Sequence, residues 1–350
     1  MSDFRIDKIT NRVGDAGTQI CGVSTFSGTS GMQLPSGPTE YRGGRGRGVL
    51  AGGYQPAYKI DITKIEIATT GDGVDFGDLI QGVRGPSDGV SSSTRGLFGG
   101  GLGPAGNTGV SVIGYVTISS DGGASHFGDL TVARFMVKGH SNSTRGLFTG
   151  GYSTSPGQHR NIIEYVTIAS TGDATDFGDV TPISGNNWST YGSGSSPTRG
   201  VFGGGYYAPG VDVKNIGYIT FATKGNSSDF GSLTDARRDV GGLSSSTRAI
   251  FAGGTDGGAP NSNNTIDYVT IATLGDATDF GDVTAGGRNR PAGASNSIRG
   301  CFAGGIIGAS KVDSIDYITI STTGNTTDFG DLAYVAFEIG GVSDSHGGLG

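Results

Sequence analysis

Residues 143–179 read STRGLFTGGYSTSPGQHRNIIEYVTIASTGDATDFGD, and the pattern of that stretch recurs along the chain. An arginine opens a short hydrophobic, glycine-ended segment at Arg47, Arg95, Arg145, Arg199, Arg248 and Arg299, with gaps of 48, 50, 54, 49 and 51 residues. A period near fifty points to a repeat architecture. Within a unit, RGLFTGG, EYVTIAS and TDFGDVT are short, rich in β-branched and aromatic residues, and bounded by Gly, Asp, Asn and Ser, which is strand and turn chemistry. A weaker glycine-rich piece, such as DVGGLSSS at 239–246, supplies a fourth strand. Four strands in about fifty residues make one propeller blade. A helical solenoid would need amphipathic runs of about ten residues or more, and the sequence has none.

The blade count follows from the ends. Six copies of the three strong segments occur, but only five of the weak ones lie between them. The sixth is IGGVSDSHGGLG at 339–350, which copies the register of VGGLSSSTRAIF and stops in mid-unit, so it can lie against the Arg47 strand. The expectation is an all-β, six-bladed propeller over residues 37–350, closed by strands from both ends, with closure removing free sheet edges.

Composition agrees. The 350 residues include 69 glycines without the every-third spacing of collagen, and the apolar share of 34% suits a core laid down in thin layers. A net charge of −7 argues against nucleic acid or an anionic membrane as partner. The start, MSDFRIDKIT, has no apolar signal-peptide region, and no run is long and apolar enough for a membrane span. Cys21 and Cys301 are read as unpaired thiols, and the Asn-X-Ser/Thr sequons as incidental.

The octapeptide GDATDFGD occurs at 172–179 and again at 275–282. A calcium loop needs oxygen ligands that persist, yet across the units its second position is Asp72, Gly123, Asp173, Asn226, Asp276 and Asn325. These are turn residues, and Gly123 offers no ligand, so no metal or other cofactor is assigned. Its last position, Asp78, Asp129, Asp179, Asp282 and Asp331 with Ser232 the exception, is read as structural. So are the six arginines, each pairing with a neighbouring carboxylate to tie blade to blade.

Function is expected where the repeats differ. In an up-and-down sheet successive connections alternate between ends, so the constant turns SSST and TGDATD share one face and the two variable loops share the other. The variable face carries Tyr54, Tyr58, Tyr152, His159, Tyr206 and Tyr207, and Trp188 and Tyr191 on the long insertion SGNNWSTYGSG. Aromatics beside Asn and Ser form an adaptable recognition surface. Four scattered histidines show neither metal-ligand spacing nor a nucleophilic triad order, so no catalytic residue is assigned and the chain is read as a non-enzyme.

Residues 1–36 lack the unit pattern. Their spaced apolar residues, among them Phe4, Ile6, Ile9 and Phe26, are too few for a separate core and suit an extended arm that orders against another subunit or protein.

Two resemblances follow from these residues. The glycine pairs Gly99–Gly100, Gly150–Gly151, Gly204–Gly205, Gly253–Gly254 and Gly304–Gly305, each followed by a tyrosine on the next strand (Tyr115, Tyr165, Tyr218, Tyr268, Tyr317), resemble kelch repeats. Lys64 replaces the tyrosine in the first unit, and a phenylalanine (Phe76, Phe127, Phe177, Phe230, Phe280, Phe329) stands where a kelch tryptophan would be. The arm segment IDKITNRVG at 6–14, together with STRGLFGGG at 93–101 and DYVTIATLGDATDFGD at 267–282, resembles tail-fibre-like or virion-surface structural proteins of marine cyanobacterial phages. That resemblance implies a virion protein assembled in the host cytoplasm and held to other virion proteins through residues 1–36. It also implies a homo-oligomer, a trimer among the options, with the propeller presented to a host-surface glycan or protein. A cellular kelch-type adaptor is the alternative, and a glycan-acting propeller enzyme the third reading.

Overall fold

The computed structural model describes residues 25–27, 31–33, 46–181, 188–189, 191–207, 210–257, 262–284 and 286–349. The chain divides into two compact units, 1–40 and 41–350. In the first, Thr25–Ser27 pairs antiparallel with Gly31–Gln33, placing Phe26 opposite Met32. The expected arm positions Phe4, Ile6 and Ile9 lie outside the described residues.

The second unit is a six-bladed β-propeller of four-stranded antiparallel sheets. From the axis outward, blade 1 is Gly340–Ser343, Arg47–Ala51, Asp61–Glu66 and Val74–Asp78, so both ends of the sequence close the ring. Blade 2 is Val90–Ser91, Arg95–Gly99, Val112–Thr117 and Ser125–Asp129, and blade 3 is Lys138–Ser141, Arg145–Thr149, Ile162–Thr167 and Thr175–Asp179. Blade 4 is Gly192–Ser195, Arg199–Gly203, Asn215–Thr220 and Ser228–Ser232. Blade 5 is Gly241–Ser244, Arg248–Ala252, Thr265–Thr270 and Thr278–Asp282, and blade 6 is Ala292–Ser295, Arg299–Ala303, Ser314–Thr319 and Thr327–Asp331.

The core lies between blades, in thin layers. Leu147, Ile163, Phe177 and Val180 of blade 3 meet Phe202, Ile219 and Phe221 of blade 4, and the other junctions repeat this scheme. Each outer strand bulges at its phenylalanine. In blade 3, Ile163 faces Gly178 and Glu164 faces Asp176, so Phe177 is the extra residue and turns inward. Closure does not remove every sheet edge, as the sequence suggested. The six outer strands remain edges, kept safe by their five-residue length, the bulge and flanking aspartates.

The octapeptide is a strap. Its first half belongs to the turn before the outer strand and grips the previous blade: Gly172 N donates to Phe127 O (2.8 Å) and Ala174 N to Asp129 O (2.8 Å), while Asp173 Oδ1 accepts from Asp129 N (3.0 Å). Asn226, Asp276, Asn325 and Asp72 accept the same bond from Asp179, Ser232, Asp282 and Asp331. The Gly123 unit omits that side-chain bond and keeps the backbone pair, Gly122 N to Phe76 O and Ala124 N to Asp78 O (both 2.7 Å). Turn geometry and the approach to the preceding strand therefore select Asp, Asn or Gly.

The arginines also tie blade to blade, but through carbonyls rather than the expected carboxylates. Arg95 Nη1 reaches Ile168 O and Ala169 O of blade 3, Arg199 reaches Ile271 O and Ala272 O of blade 5, and Arg248 reaches Ile320 O of blade 6. Each of these guanidinium groups lies over its own blade's tyrosine, 4.9 Å from Tyr115, 4.8 Å from Tyr218 and 4.6 Å from Tyr268. These carbonyls lie in the turn just after the third strand, so a cation held on an aromatic face bonds them without a buried acid. Blade 1 differs because Lys64 replaces the tyrosine: Lys64 pairs with Asp121 of blade 2, and Arg47 takes Glu66 (3.2 Å) and Asp121 (3.6 Å) in addition to Ile118 O. Arg248→Gln is expected to cost about 1–2 kcal/mol in denaturant unfolding, from one charge-assisted hydrogen bond and one half-exposed cation–π contact.

Candidate functional site: the variable face and its axial mouth

Inner strands run from the variable face to the constant face, and near the constant end each carries one serine: Ser91, Ser141, Ser195, Ser244, Ser295 and Ser343. Five of the hydroxyls reach the carbonyl of a neighbouring ring member: Ser91 that of Ser343 (2.7 Å), Ser141 that of Ser91 (3.0 Å), Ser244 that of Ser195 and Ser295 that of Ser244 (both 2.8 Å), and Ser343 that of Ser295. These bonds tie the inner strands together at the constant end of the axis.

At the variable end the connections form a rim. In every blade the segment leading into the inner strand bridges the loop between the second and third strands: Phe337 to Tyr54, Arg84 to Leu102, Phe135 to Tyr152, Ser189 to Tyr206, Arg238 to Thr255 and Asn289 to Ile306. Just inside the rim Gly85, Met136, Asp239, Arg290 and Glu338 all take left-handed backbone angles, φ +55° to +63°. The conformation turns amides onto the preceding blade. Gly85 N donates to Glu338 O (2.9 Å), Met136 N to Gly85 O (3.3 Å) and Arg290 N to Asp239 O (2.9 Å). Side chains there cost about 1 kcal/mol each against glycine.

Those side chains form an ionic belt across four blades. Asp239 holds Arg290 (3.0 Å), Arg290 holds Glu338, and Glu338 takes two nitrogens of Arg84. Burial raises the Asp239 carboxyl above its ordinary value, with Arg290 opposing and Glu338 reinforcing the shift. For Arg290 burial works against the charge, but the two carboxylates outweigh it and the net direction is up. Beneath the belt lies a small pocket floored by Pro86, Val137, Val240, Pro291 and Ile339.

The predicted aromatics flank this mouth. Tyr54 packs edge-on against Tyr58 (5.2 Å) and Phe337 (6.0 Å), under the Arg84 guanidinium at 5.6 Å. Tyr58 bonds Asn107. A second row crosses from blade 3 to blade 4: Phe135, Tyr152, His159 and Tyr206 at 5.6, 4.9 and 5.6 Å, ending on Arg238, which lies 4.8 Å from Tyr206 and pairs with Asp212. All are half-buried, and burial lowers the His159 pKa. Trp188 and Tyr207 face each other in a backbone ladder, and their side chains lie outside the description.

Tyr191 does not belong to this face. It is fully buried between blades 3 and 4, its hydroxyl donates to Thr149 Oγ1 (2.8 Å), and burial raises its pKa. It sits four residues before the ring serine, as do Val137, Val240 and Ile339, so the inner strand begins inside the apparent insertion. Sequence reading also missed three buried ion pairs: Arg134–Glu164 (2.7 Å), Arg237–Asp267 (3.0 Å) and Arg288–Asp316 (2.7 Å).

Comparison of the sequence with protein families and with curated proteins returns no significant match to either. Among the described residues no group of three or more His, Cys, Asp or Glu is arranged to hold a metal, and no helix is long and apolar enough to cross a membrane.

Proposed function

We propose that this chain is a virion-surface structural protein of a phage, a tail fibre or a head or tail decoration, whose non-catalytic propeller recognises a host-surface glycan or protein and whose N-terminal arm, residues 1–36, anchors it. The observation that carries this reading is the polarity of the ring. The chain enters the propeller on the constant face, where Gly46 lies beside Asn296 and Ser345 and Arg47 N donates to Asp344 Oδ1 at 2.9 Å. The variable loops, with Tyr54, Tyr152, His159 and Tyr206, are on the opposite face. The variable face is thus opposite the one at which Gly46 joins the ring, which supports its reading as a displayed recognition surface. Half-buried aromatics beside guanidinium groups suit that task, because they supply contact area at low entropic cost.

Light scattering on the full chain beside a version that begins at Gly37 tests the reading, with both then offered to whole host cells. The expected result is an oligomeric full chain and a folded, monomeric truncation, each bound by cells and each weakened by Tyr152→Ala with Tyr206→Ala. Two monomers that ignore cells would instead favour an intracellular adaptor. Release of sugar from host polysaccharide would overturn the non-catalytic assignment.

A further inference from the structure

After Gly340–Ser343 the chain turns and lays a single 3-10 turn, Gly347–Leu349, across the constant-face end of the axis. Gly347 is so close to Ser195 O and Ser245 O, and Gly348 to Ser141 O, that neither position has room for a Cβ. His346 locks the turn in place. Its Nδ1 accepts from Gly348 N (3.0 Å), which puts the ring hydrogen on Nε2, and Nε2 donates to Ser91 O (3.0 Å) and lies 3.1 Å from Ser141 Oγ. Behind it is a small pocket, lined by inner-strand glycines and serines, that reaches to Asp88 and Ser193.

A second buried histidine lies at the junction of blades 3 and 4, its ring 5.8 Å from that of Phe202. His140 precedes Ser141, is fully buried with Nδ1 3.4 Å from Gly194 O, and occupies a register that in the other blades holds Val90, Gly194, Leu243, Ala294 and Val342. Among the described residues few charges lie near enough to compensate a proton on either ring. Around the turn they are Asp344, spent on Arg47 N, with Glu66 and Arg47 beyond it. On the blade 3 inner strand there is Lys138, paired with Asp88 at 3.1 Å toward the far end of the pocket, and the inner strands of blades 4 and 5 carry no charged group.

We propose that Asp344–Leu349 is an acid-released stopper: protonation of His346 expels the turn from the axis while the six blades stay assembled. An added proton removes the Nδ1 acceptor from Gly348 N and places a charge among neutral serines. The neighbouring strand Gly340–Ser343 keeps its own ladder to Arg47–Ala51 and its hold through Glu338 on Arg84 and Arg290, so the ring need not open. Release acts beside the second strand of blade 1, since Asp344 N also donates to Arg47 O (3.2 Å).

The pH window follows from the buried rings. Loss of solvation lowers both His140 and His346 from 6.5 to about 4, partly offset by the carbonyls of Gly194 and Ser91. A group lowered on folding stabilises fully above its unfolded value and loses that contribution as pH falls through the folded one, so the turn is held above pH 6.5 and released toward pH 4. Hydrogen exchange on the full chain, normalised for intrinsic rates, reads this directly. In that window, protection of residues 344–349 is expected to fall by up to about tenfold per pH unit, the limit for one linked proton, while Ile162–Thr167 keeps its protection. His346→Gln, whose amide still donates to Ser91 O but does not titrate, flattens the slope. His346→Asn, which does not titrate either, is the second variant should the first fail to fold. Protection independent of pH, an equal loss in both segments, or a slope unchanged in both variants overturns the proposal.

Discussion

Arg288→Ala is expected to lower unfolding free energy by about 3–5 kcal/mol at neutral pH, the cost of leaving one partner of a buried ion pair alone. The Arg288 guanidinium donates to Ser314 O (2.8 Å), Gly304 O (3.0 Å) and Asp316 Oδ2 (2.7 Å), all in blade 6, and is 1% exposed. Burial already raises Asp316 and lowers Arg288, each disfavouring its own charge, and only the pairing holds the two ionised. With the arginine gone, Asp316 binds a proton more readily. The deficit is therefore largest at alkaline pH and shrinks on acidification, which denaturant melts at pH 8 and pH 5 will resolve. Blade 1 shows what relieves it. There the equivalent positions are Ala336 and Thr63, and Tyr334 donates to Gly52 O (3.2 Å) and Asp61 O (3.0 Å), the counterparts of the Gly304 and Ser314 carbonyls. Arg288→Ala combined with Asp316→Thr should recover the larger part of the loss, because the lone charge is removed. It should not recover all of it, because blade 6 has Gly286 where blade 1 has Tyr334.

That pairing was legible, in principle, without coordinates. An acid at the third residue of the third strand occurs in blades 3, 5 and 6 (Glu164, Asp267, Asp316), and an arginine three residues before the start of the inner-strand register occurs in the same blades (Arg134, Arg237, Arg288). Where the acid is Gly114 or Thr63, the arginine is Val83 or Ala336. Repeats within one chain thus carry the covariation of a contact. The period, the six blades, the closing strand and the sorting of loops to faces were readable for the same reason, because each recurs in register. The arginine partners were not, since a carbonyl acceptor leaves no mark in side-chain identity. Nor was the mouth, where Met136, Asp239, Arg290 and Glu338 share a left-handed backbone but no chemistry. Tyr191 was misplaced because the irregular loop before it hides the register that the ring serine Ser195 restores.

Gly293→Ala is expected to cost about 3 kcal/mol or more, well beyond an ordinary surface change, because the added methyl group meets backbone rather than a side chain that can turn away. A Cβ at Gly293 overlaps Gly242 O and lies 3.0 Å from Gly242 C. The same holds around the axis: a Cβ on Gly242 would strike Ser193 N and O, one on Gly341 would strike Gly293 O, and one on Gly139 would strike Asp88 O. Inner strands touch backbone to backbone, so displacing blade 6 pushes its neighbours and strains the junction where Gly340–Ser343 closes the ring. Gly114→Ala is the control, since its nearest neighbours are the tip of Ile80 at 3.4 Å and Ala124 Cβ at 3.7 Å, and its backbone is an ordinary strand. It should be neutral, or stabilising by up to about 1 kcal/mol through a less flexible unfolded chain. Equal losses in the two variants would mean that close backbone contact at the axis is not what requires glycine. A selective loss in Gly293→Ala, read as a lower denaturant midpoint at unchanged slope, places the requirement at the axis, where the backbone of blade 6 meets Gly242 of blade 5.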